Sequence, residues 1–532
     1  MASFKQLKCG CKIPLDDQGR IDIDYDNLNH ECQKTWALYG EGHTRSIFQL
    51  ESRLCQTWAK ELNPKSIKDA ADLIAIVRPG TLHAENEDGI SMTKLFCDRK
   101  NGKLTYDNDS ALSLLLQDTY SIIVYQEQLM MISKKLASFD GKMANKLMKS
   151  VGKKDAELLF SLEKQFVDGC VKTNIVGEQE ARVIFENIKA SARYLFNKSH
   201  SYEYAMVGYQ TAWVKAHFPE QYICGWLKIS KTEAKPLEEI RAMMSEARRL
   251  KIKVYAPSAR NLPKTDFFIE KGAVYFGLSS IKNCSEAAYE KLIKSGYDFS
   301  KMGWTEFLVN CSGMLSKKQM VPMIQVGCFD DFSLMSRLEC EHEFNQWLSI
   351  SVKLKSKIVA KFNEDKSKYK TLVSLLRDYV EGDPKNATKL LSIVDTIVNP
   401  PTNLEDSKKN LIEHEKVLLG VNITCSHIER ALIPTGTHRC RDINKGDYDR
   451  NKAYRVVGEI SEFQEFKIKN GKLTGQIMGT IKLNDNTEEL DVVVFPDALD
   501  QFQSALYEGN IVLIQGKRSN KGGLILGEIY EV

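Results

Sequence analysis

The chain is 532 residues long, with 43% hydrophobic and 27% charged residues, and its 74 basic and 70 acidic side chains leave a net charge of +4. That length exceeds what one core supports and predicts about two to four domains, while the near balance of charge excludes a uniformly basic nucleic-acid coat, so a polyanion surface has to come from local clustering. Thirteen cysteines without the dense spacing of a disulfide scaffold, and no apolar run near the roughly 20 residues that span a bilayer, predict a soluble, reduced, cytoplasmic protein.

The chain opens with Cys9-x-Cys11, followed by His30-x-Cys32. Three thiols and one imidazole in two close pairs are the donor set of a closed tetrahedral zinc site, which gives order to a short segment poor in apolar residues. The alternative is three unrelated reduced cysteines and a surface histidine. Between the pairs, "GRIDIDYDN" carries Asp22 and Asp24, which read as surface or turn carboxylates. Residues 1–41 form this N-terminal segment.

Residues 42–230 are mainly helical in pattern, with Leu158, Leu162 and Phe166 at helical spacing. "LIAIVRPGTL" sets Arg78 on a Pro-Gly turn after an apolar run. "VGKKDAELLFSLEKQF" sets Lys153 and Lys154 ahead of a helix that Asp155 can cap. "FNKSHSYEYAMVGYQTAWVKAHFPEQY" repeats the device with Lys198 and His200, ahead of a helix that presents Ala205, Tyr209, Ala212 and Ala216 on one face and ends before Pro219. Cations at a helix start oppose the peptide dipoles, so the repetition points to an anion, with solvated basic turns as the bland alternative.

Residues 231–335 mix strand-like pieces around "DFFIEKGAVYFGL" with "SSIKNCSEAAYEKLIKSG", a turn leading into a short helix. Residues 336–450 read as a charged helical spacer and linker, broken at "VNPPTNLEDSKKN". Residues 451–532 hold five β-rich runs with a helical "PDALDQFQSAL" between the third and fourth, the order of an OB-type barrel. Lys467, Lys469, Lys472 and Lys517, near Phe463 and Phe466, are candidates for tracking a single strand, although surface lysines beside core aromatics are the commoner meaning. The fold class is multidomain: a mostly α-helical domain, a small α+β domain and a C-terminal β-barrel.

The strings "SIFQLES", "LIAIVRPGTL", "DTYSIIVYQEQLMMI", "GKK" and "FNKSHSYEYAMVGYQTAWVKAHFPEQY", in this order, resemble the fingers of the bacterial DNA polymerase III alpha subunit, the C family of replicative polymerases. "VYFGLSSIKNCSEAAYEKLI" resembles that family's helix-hairpin-helix segment, "MIQVGCFDDF" and "EHEKVLLGVNITCSHI" the elements after it, and the last strands its OB domain. The likeness runs in register from about residue 20 to the end.

The resemblance implies that the fingers hold an incoming dNTP over a palm, and that Lys149, Lys153, Lys154, Lys198 and His200, with Arg78, face its phosphates. The family usually shows paired arginines before "GKK". Here Met148 and Lys149 stand there, so a bidentate fork is replaced by a point charge. The hairpin turn reads Lys282, Asn283, Cys284, Ser285, without the glycine that lets backbone N–H groups approach duplex phosphates. "NQWLSI" is a poor match to a sliding-clamp peptide and reads otherwise as core helix.

Two-metal phosphoryl transfer needs carboxylates that hold magnesium, and the family supplies them from a palm N-terminal to the fingers. "GRIDIDYDN" matches the linker between the two. The chain is therefore expected to be the fingers-to-OB portion of a nucleotidyltransferase. Its expected partners are primed DNA, dNTP and a PHP-containing, palm-bearing polymerase chain, and a compact phage-encoded split form suits it. The alternatives are a non-catalytic DNA-binding accessory protein on the same scaffold and a piece of a longer polymerase.

Overall fold

Serines at helix starts punctuate the first half of the chain: Ser52, Ser66 and Ser91 each accept the backbone N–H three residues on, satisfying donors that the first helical turn leaves unpaired. The computed structural model describes all residues except 1–3, 154–155, 192–193, 425–433, 446–448, 450, 469–472, 486, 504 and 520–521. The chain divides into two units, Met1–Pro219 and Glu220–Val532. Among the described residues no helix is long and apolar enough to cross a membrane.

In the first unit a small hairpin pairs Phe4–Gln6 with Lys12–Pro14. Helices follow, and they gather around two cores. One core lies between the helices Gln33–Gly40 and Ile67–Ile76 and the 20-residue helix Lys198–His217. Ala205, Gly208, Tyr209, Ala212 and Ala216 make the buried face of that long helix, the face expected from the sequence. The other core is shared by the helices Gln126–Ala137, Gly141–Lys153, Ala156–Thr173 and Glu178–Ser191.

The second unit starts on the helices Pro219–Ser230 and Pro236–Arg249 and a three-stranded sheet. In that sheet Ala273–Tyr275 is central, parallel to Val254–Tyr255 and antiparallel to Phe268–Glu270. Its hydrophobic core continues without a break past residue 336: Trp304, Phe307, Trp347, Phe362, Leu375 and Leu390 belong to one cluster. The helices Arg337–Leu348, Val352–Glu364, Leu372–Gly382 and Ala387–Val398 are thus walls of that core. Trp347 and Ile350 of "NQWLSI" are 3% and 2% exposed, so this stretch is core helix and its end, and the clamp-peptide reading falls.

A buried ionic node joins two of the sequence motifs. Arg337, 6% exposed, donates to Glu415 at 2.9 Å, to Asp330 at 2.8 Å, to Thr424 at 2.8 Å and to the Gln325 carbonyl at 3.0 Å. Glu415 is fully buried and also accepts the N–H groups of Ile423 at 2.6 Å and Thr424 at 2.9 Å. Every charge taken out of water here has a partner, which is the condition under which burying it is tolerable.

The five expected strands close into a barrel in the order Leu524–Glu531, Glu489–Val494, Ile477–Asn484, Ala453–Lys467 and Ile511–Arg518, with the helix Pro496–Phe502 between the third and fourth in sequence. Only the pair Leu524–Glu531 with Glu489–Val494 is parallel. At Gly516 a Cβ would stand 2.4 Å from the Ile525 carbonyl oxygen, so the closing strands touch there only because the side chain is missing. Arg248 reaches from its helix to Glu459 of the barrel at 2.7 Å, and Lys416, in the helix Lys408–Leu419, pairs with Glu508 at 2.6 Å.

Arg337→Ala leaves Glu415 buried and uncompensated. It is expected to lower the stability of the second unit by about 3 kcal/mol or more, read as a fall in the midpoint of chemical or thermal unfolding. An unshifted transition would mean that the node does not hold the core together.

Candidate functional site

Two helices begin side by side in the first unit. Tyr125 and Phe196 form a parallel bridge, with Phe196 N–H donating to the Val124 carbonyl at 3.0 Å and Gln126 N–H to the Phe196 carbonyl at 2.9 Å. The helix Gln126–Ala137 starts after Tyr125 and the long helix after Asn197, whose side chain caps it by accepting the His200 N–H at 2.8 Å. Two N-terminal dipole ends therefore point to one place.

The sequence candidates Arg78, Lys198 and His200 gather there. The Arg78 guanidinium lies 4.4 Å over the Phe196 ring, and the His200 ring is 5.7 Å from the same ring and 4.0 Å from Tyr204. The Lys198 ammonium sits 5.8 Å from the ring centres of both Tyr125 and Tyr202, while its backbone N–H donates to Glu127 at 3.0 Å. Arg78 and His200 are exposed and Lys198 is half-buried. Behind them, Tyr125 O–H donates to Asp72 at 2.6 Å and Lys68 pairs with Asp72 at 2.9 Å. Burial pushes the Asp72 carboxyl up from its ordinary range, against the pull of Lys68 and Tyr125.

The remaining basic candidates belong to other elements. Lys153 ends the helix Gly141–Lys153 instead of preceding the next one, and Lys149 is exposed one turn earlier. A helix C-terminus favours a cation, so the sequence argument from a disfavoured charge at a helix start does not apply at position 153. Lys154 and Asp155 lie outside the described residues. At the hairpin turn Asn283 takes a left-handed φ of 69°, the conformation a glycine would serve, and Lys282 N–H donates to the Leu418 carbonyl at 2.9 Å. That N–H is spent inside the protein, while the Lys282 side chain is exposed.

In the barrel, Lys517 pairs with Ala453 at the start of the first strand and Lys467 ends that strand, so the two exposed lysines lie at its opposite ends. Lys469 and Lys472 lie outside the described residues. Asp24 is exposed and caps a short turn, accepting from Asn27 at 2.7 Å and from the Asp26 N–H at 3.2 Å, and Asp22 is exposed beside it.

The N-terminal thiols do come together, with a different histidine. Cys9, Cys11, Cys32 and His217 place their donor atoms within 4.8 Å of one another. His217, in the last turn of the long helix, puts Nε2 3.3 Å from Cys32 Sγ and 3.8 Å from Cys9 Sγ. His30 is corrected out of the set: its carbonyl accepts Trp36 Nε1–H at 2.7 Å, and its ring lies edge-on to Tyr209 at 5.3 Å, outside the thiol group. Burial and then the neighbouring thiols push Cys11 up to about 12. Burial also raises Cys32, but hydrogen bonds from His217 and Thr35 outweigh it and bring that thiol down to about 6. None of the described cysteines is in a disulfide.

Sequence reading missed Tyr125, Tyr202 and Phe196 as the rings that hold the cations, and His217 as a donor. "VYQEQ" and "FNKSH" carried a signal, an aromatic residue just before each helix start, but nothing local shows that the two starts are neighbours.

The family described as bacterial DNA polymerase III alpha subunit finger domain matches residues 11–174, and a helix-hairpin-helix motif family matches residues 251–338. Arg78 falls inside the first match, Lys198 and His200 beyond it. The DNA polymerase III subunit alpha of Bacillus subtilis (strain 168) is 29% identical over 516 residues, which are 94% of this chain and 41% of that protein. The Aquifex aeolicus (strain VF5) subunit is 27% identical over 522 residues, 97% of this chain and 40% of its own length. The Deinococcus radiodurans subunit is 32% identical over 322 residues, 58% and 23%. The chain spans about two fifths of the length of the first two of these relatives. With finger-domain match, helix-hairpin-helix match and terminal barrel in one order, the chain is similar over nearly its whole length to the C-terminal portion of the bacterial DNA polymerase III alpha subunit.

Proposed function

We propose that this chain is the fingers and DNA-binding portion of a C-family replicative DNA polymerase, which holds an incoming dNTP and primed DNA for template-directed synthesis together with a palm domain on another chain. The observation that supports the reading is the meeting of two helix N-termini with Arg78, Lys198 and His200 in a chain of this family. Each helix start carries about half a positive charge, and the Arg78, Lys198 and His200 side chains stand beside it where solvent has access. A triphosphate is the ligand that repays this concentration of charge.

The aromatic rings prepare the cations. Lys198, set between two phenol rings, has lost part of its mobility before a ligand arrives, so less entropy is lost when it meets a phosphate. Arg78 offers a planar fork for two phosphate oxygens, held at its height by Phe196. Lys149, Lys153 and Lys154 are assigned a supporting role toward the same phosphates, and Lys282, Lys467, Lys469 and Lys517 a role on the DNA backbone, where contacts position without reading sequence. Magnesium, held with the palm, supplies charge neutralisation and activation of the attacking oxygen. Zinc is the cofactor assigned to the thiol group.

Primer extension in the cytoplasm-like conditions of a replication assay tests this. The chain alone is expected to bind primed DNA and to incorporate nothing, and addition of a palm-bearing chain to give magnesium-dependent synthesis. Extension by the isolated chain that Asp22→Ala with Asp24→Ala abolishes would put the active site within these residues. DNA binding with no effect on any palm chain would favour the accessory role.

Lys198→Ala is expected to leave thermal stability unchanged or slightly higher, since the helix loses an unfavourable cation, and to lower single-nucleotide incorporation efficiency about tenfold or more, a barrier change of about 1.4 kcal/mol. Arg78→Ala should act in the same direction. Unchanged kinetics in both variants would remove the phosphate site from the helix starts.

A further inference from the structure

We infer that Cys9, Cys11, Cys32 and His217 close around one zinc ion, and that this ion ties the last turn of the long helix to the N-terminal hairpin, fixing from its far end the helix that presents Lys198 and His200. The second half of this statement rests on the proposed nucleotide site; the first half does not.

Geometry carries the ligand set. A tetrahedral zinc with bonds of about 2.3 Å to sulfur and 2.0 Å to nitrogen separates its donors by roughly 3.5 to 3.8 Å. The imidazole Nε2 already lies 3.3 Å from Cys32 Sγ and 3.8 Å from Cys9 Sγ, and all four donor atoms lie within 4.8 Å. Small side-chain rotations are all that closure requires. The donor set is three sulfurs and one nitrogen with no oxygen, which suits zinc and excludes magnesium and calcium.

The backbone around the group is built for it. Cys9 and Cys11 flank Gly10, whose φ of 88° makes the tight turn of the hairpin, with Leu7 N–H donating to the Cys11 carbonyl at 2.8 Å and Gly10 N–H to the Leu7 carbonyl at 2.9 Å. Cys32 stands at the N-cap of the helix Gln33–Gly40, where a thiolate is favoured. Asn29 Nδ2 lies 3.8 Å from Cys11 Sγ, and the Trp213 ring, 4.6 Å from the His217 ring, limits the imidazole's rotation. These are the outer contacts that orient metal ligands.

The segment buries little apolar surface of its own. Among the described side chains from residue 5 to 32, only Cys11, Ile13 and Cys32 are buried, with Leu7, Ile23 and Leu28 partly buried against the same core. Burial this sparse offsets little of the ordering entropy of such a stretch, whereas a structural zinc contributes folding free energy outright.

Metal analysis of the full chain, purified with reductant and without added metal, is expected to give about one zinc per chain. Cobalt exchanged into the wild-type protein should show thiolate-to-cobalt charge transfer and the visible bands of a tetrahedral site. His217→Ala and Cys32→Ser should lose the metal, while His30→Ala keeps it. Hydrogen exchange on wild-type protein before and after chelation reads the mechanical role: protection along Lys198–His217 should fall, first at the C-terminal turn, and return with zinc. No metal, a disulfide among these thiols under reductant, or loss of zinc in His30→Ala but not in His217→Ala would overturn the site. Zinc present with exchange unchanged by chelation would overturn the tie. None of these readings uses a nucleotide, so they stand or fall apart from the polymerase assay.

Discussion

Hydrogen bonds from side chains of one helix to carbonyl oxygens of the segments around it fix the setting of the first unit. Along Lys198–His217, Ser201 donates to the Ala71 carbonyl, Tyr209 to Asn29, Gln210 to Tyr25, and the buried Lys215 ammonium to both His43 and Arg45. Each is worth about 1 kcal/mol net, but leaving any buried one unmade costs more. The Lys215 charge is the strictest of them, because an ammonium 1% exposed has to keep its acceptors. Rotation of the helix by one residue, about 100°, would break all of these together and carry Lys198 and His200 away from Arg78. The cationic group at one end is therefore a consequence of the buried contacts along the whole length.

The second unit solves a similar problem with charge. Asp330 and Arg337 lie close in sequence and Glu415 78 residues beyond Arg337, and the pairing of Arg337 with both carboxylates, with Thr424 and two backbone N–H groups on Glu415, ties the two stretches to one core. Two of the strings that resemble polymerase motifs, "MIQVGCFDDF" and "EHEKVLLGVNITCSHI", contribute this node. Their polar residues serve packing and register, and a motif likeness alone does not tell such residues from ligand contacts.

Much of this was legible in the sequence where the signal is local. The barrel strands alternate apolar and polar residues between Gly, Asn and Asp breaks, and the long helix shows its small-residue face at helical spacing. The limits were also physical. His217 is 185 residues from Cys32, so pair spacing favoured His30, which is two residues away yet turns its ring to Tyr209. "GKK" looked like the lead-in to a helix because Asp155 can cap one, but the preceding helix runs through Gly152 to Lys153. Asn283 adopts the left-handed conformation that its type tolerates, so the missing glycine did not mean a missing turn. That Lys467 and Lys517 stand at opposite ends of one long strand is likewise not visible in the sequence.

The helix Lys408–Leu419 touches both the hairpin turn and the barrel, since its Leu418 carbonyl accepts from Lys282 and its Lys416 holds Glu508. A barrel on a slack tether would present itself to a neighbouring strand at an effective concentration set by linker length, and would lose orientational entropy at each encounter. Here that entropy is surrendered on folding. On the proposed DNA-binding role, a chain of nucleotides passing from the hairpin to the barrel would meet a ruler of fixed span.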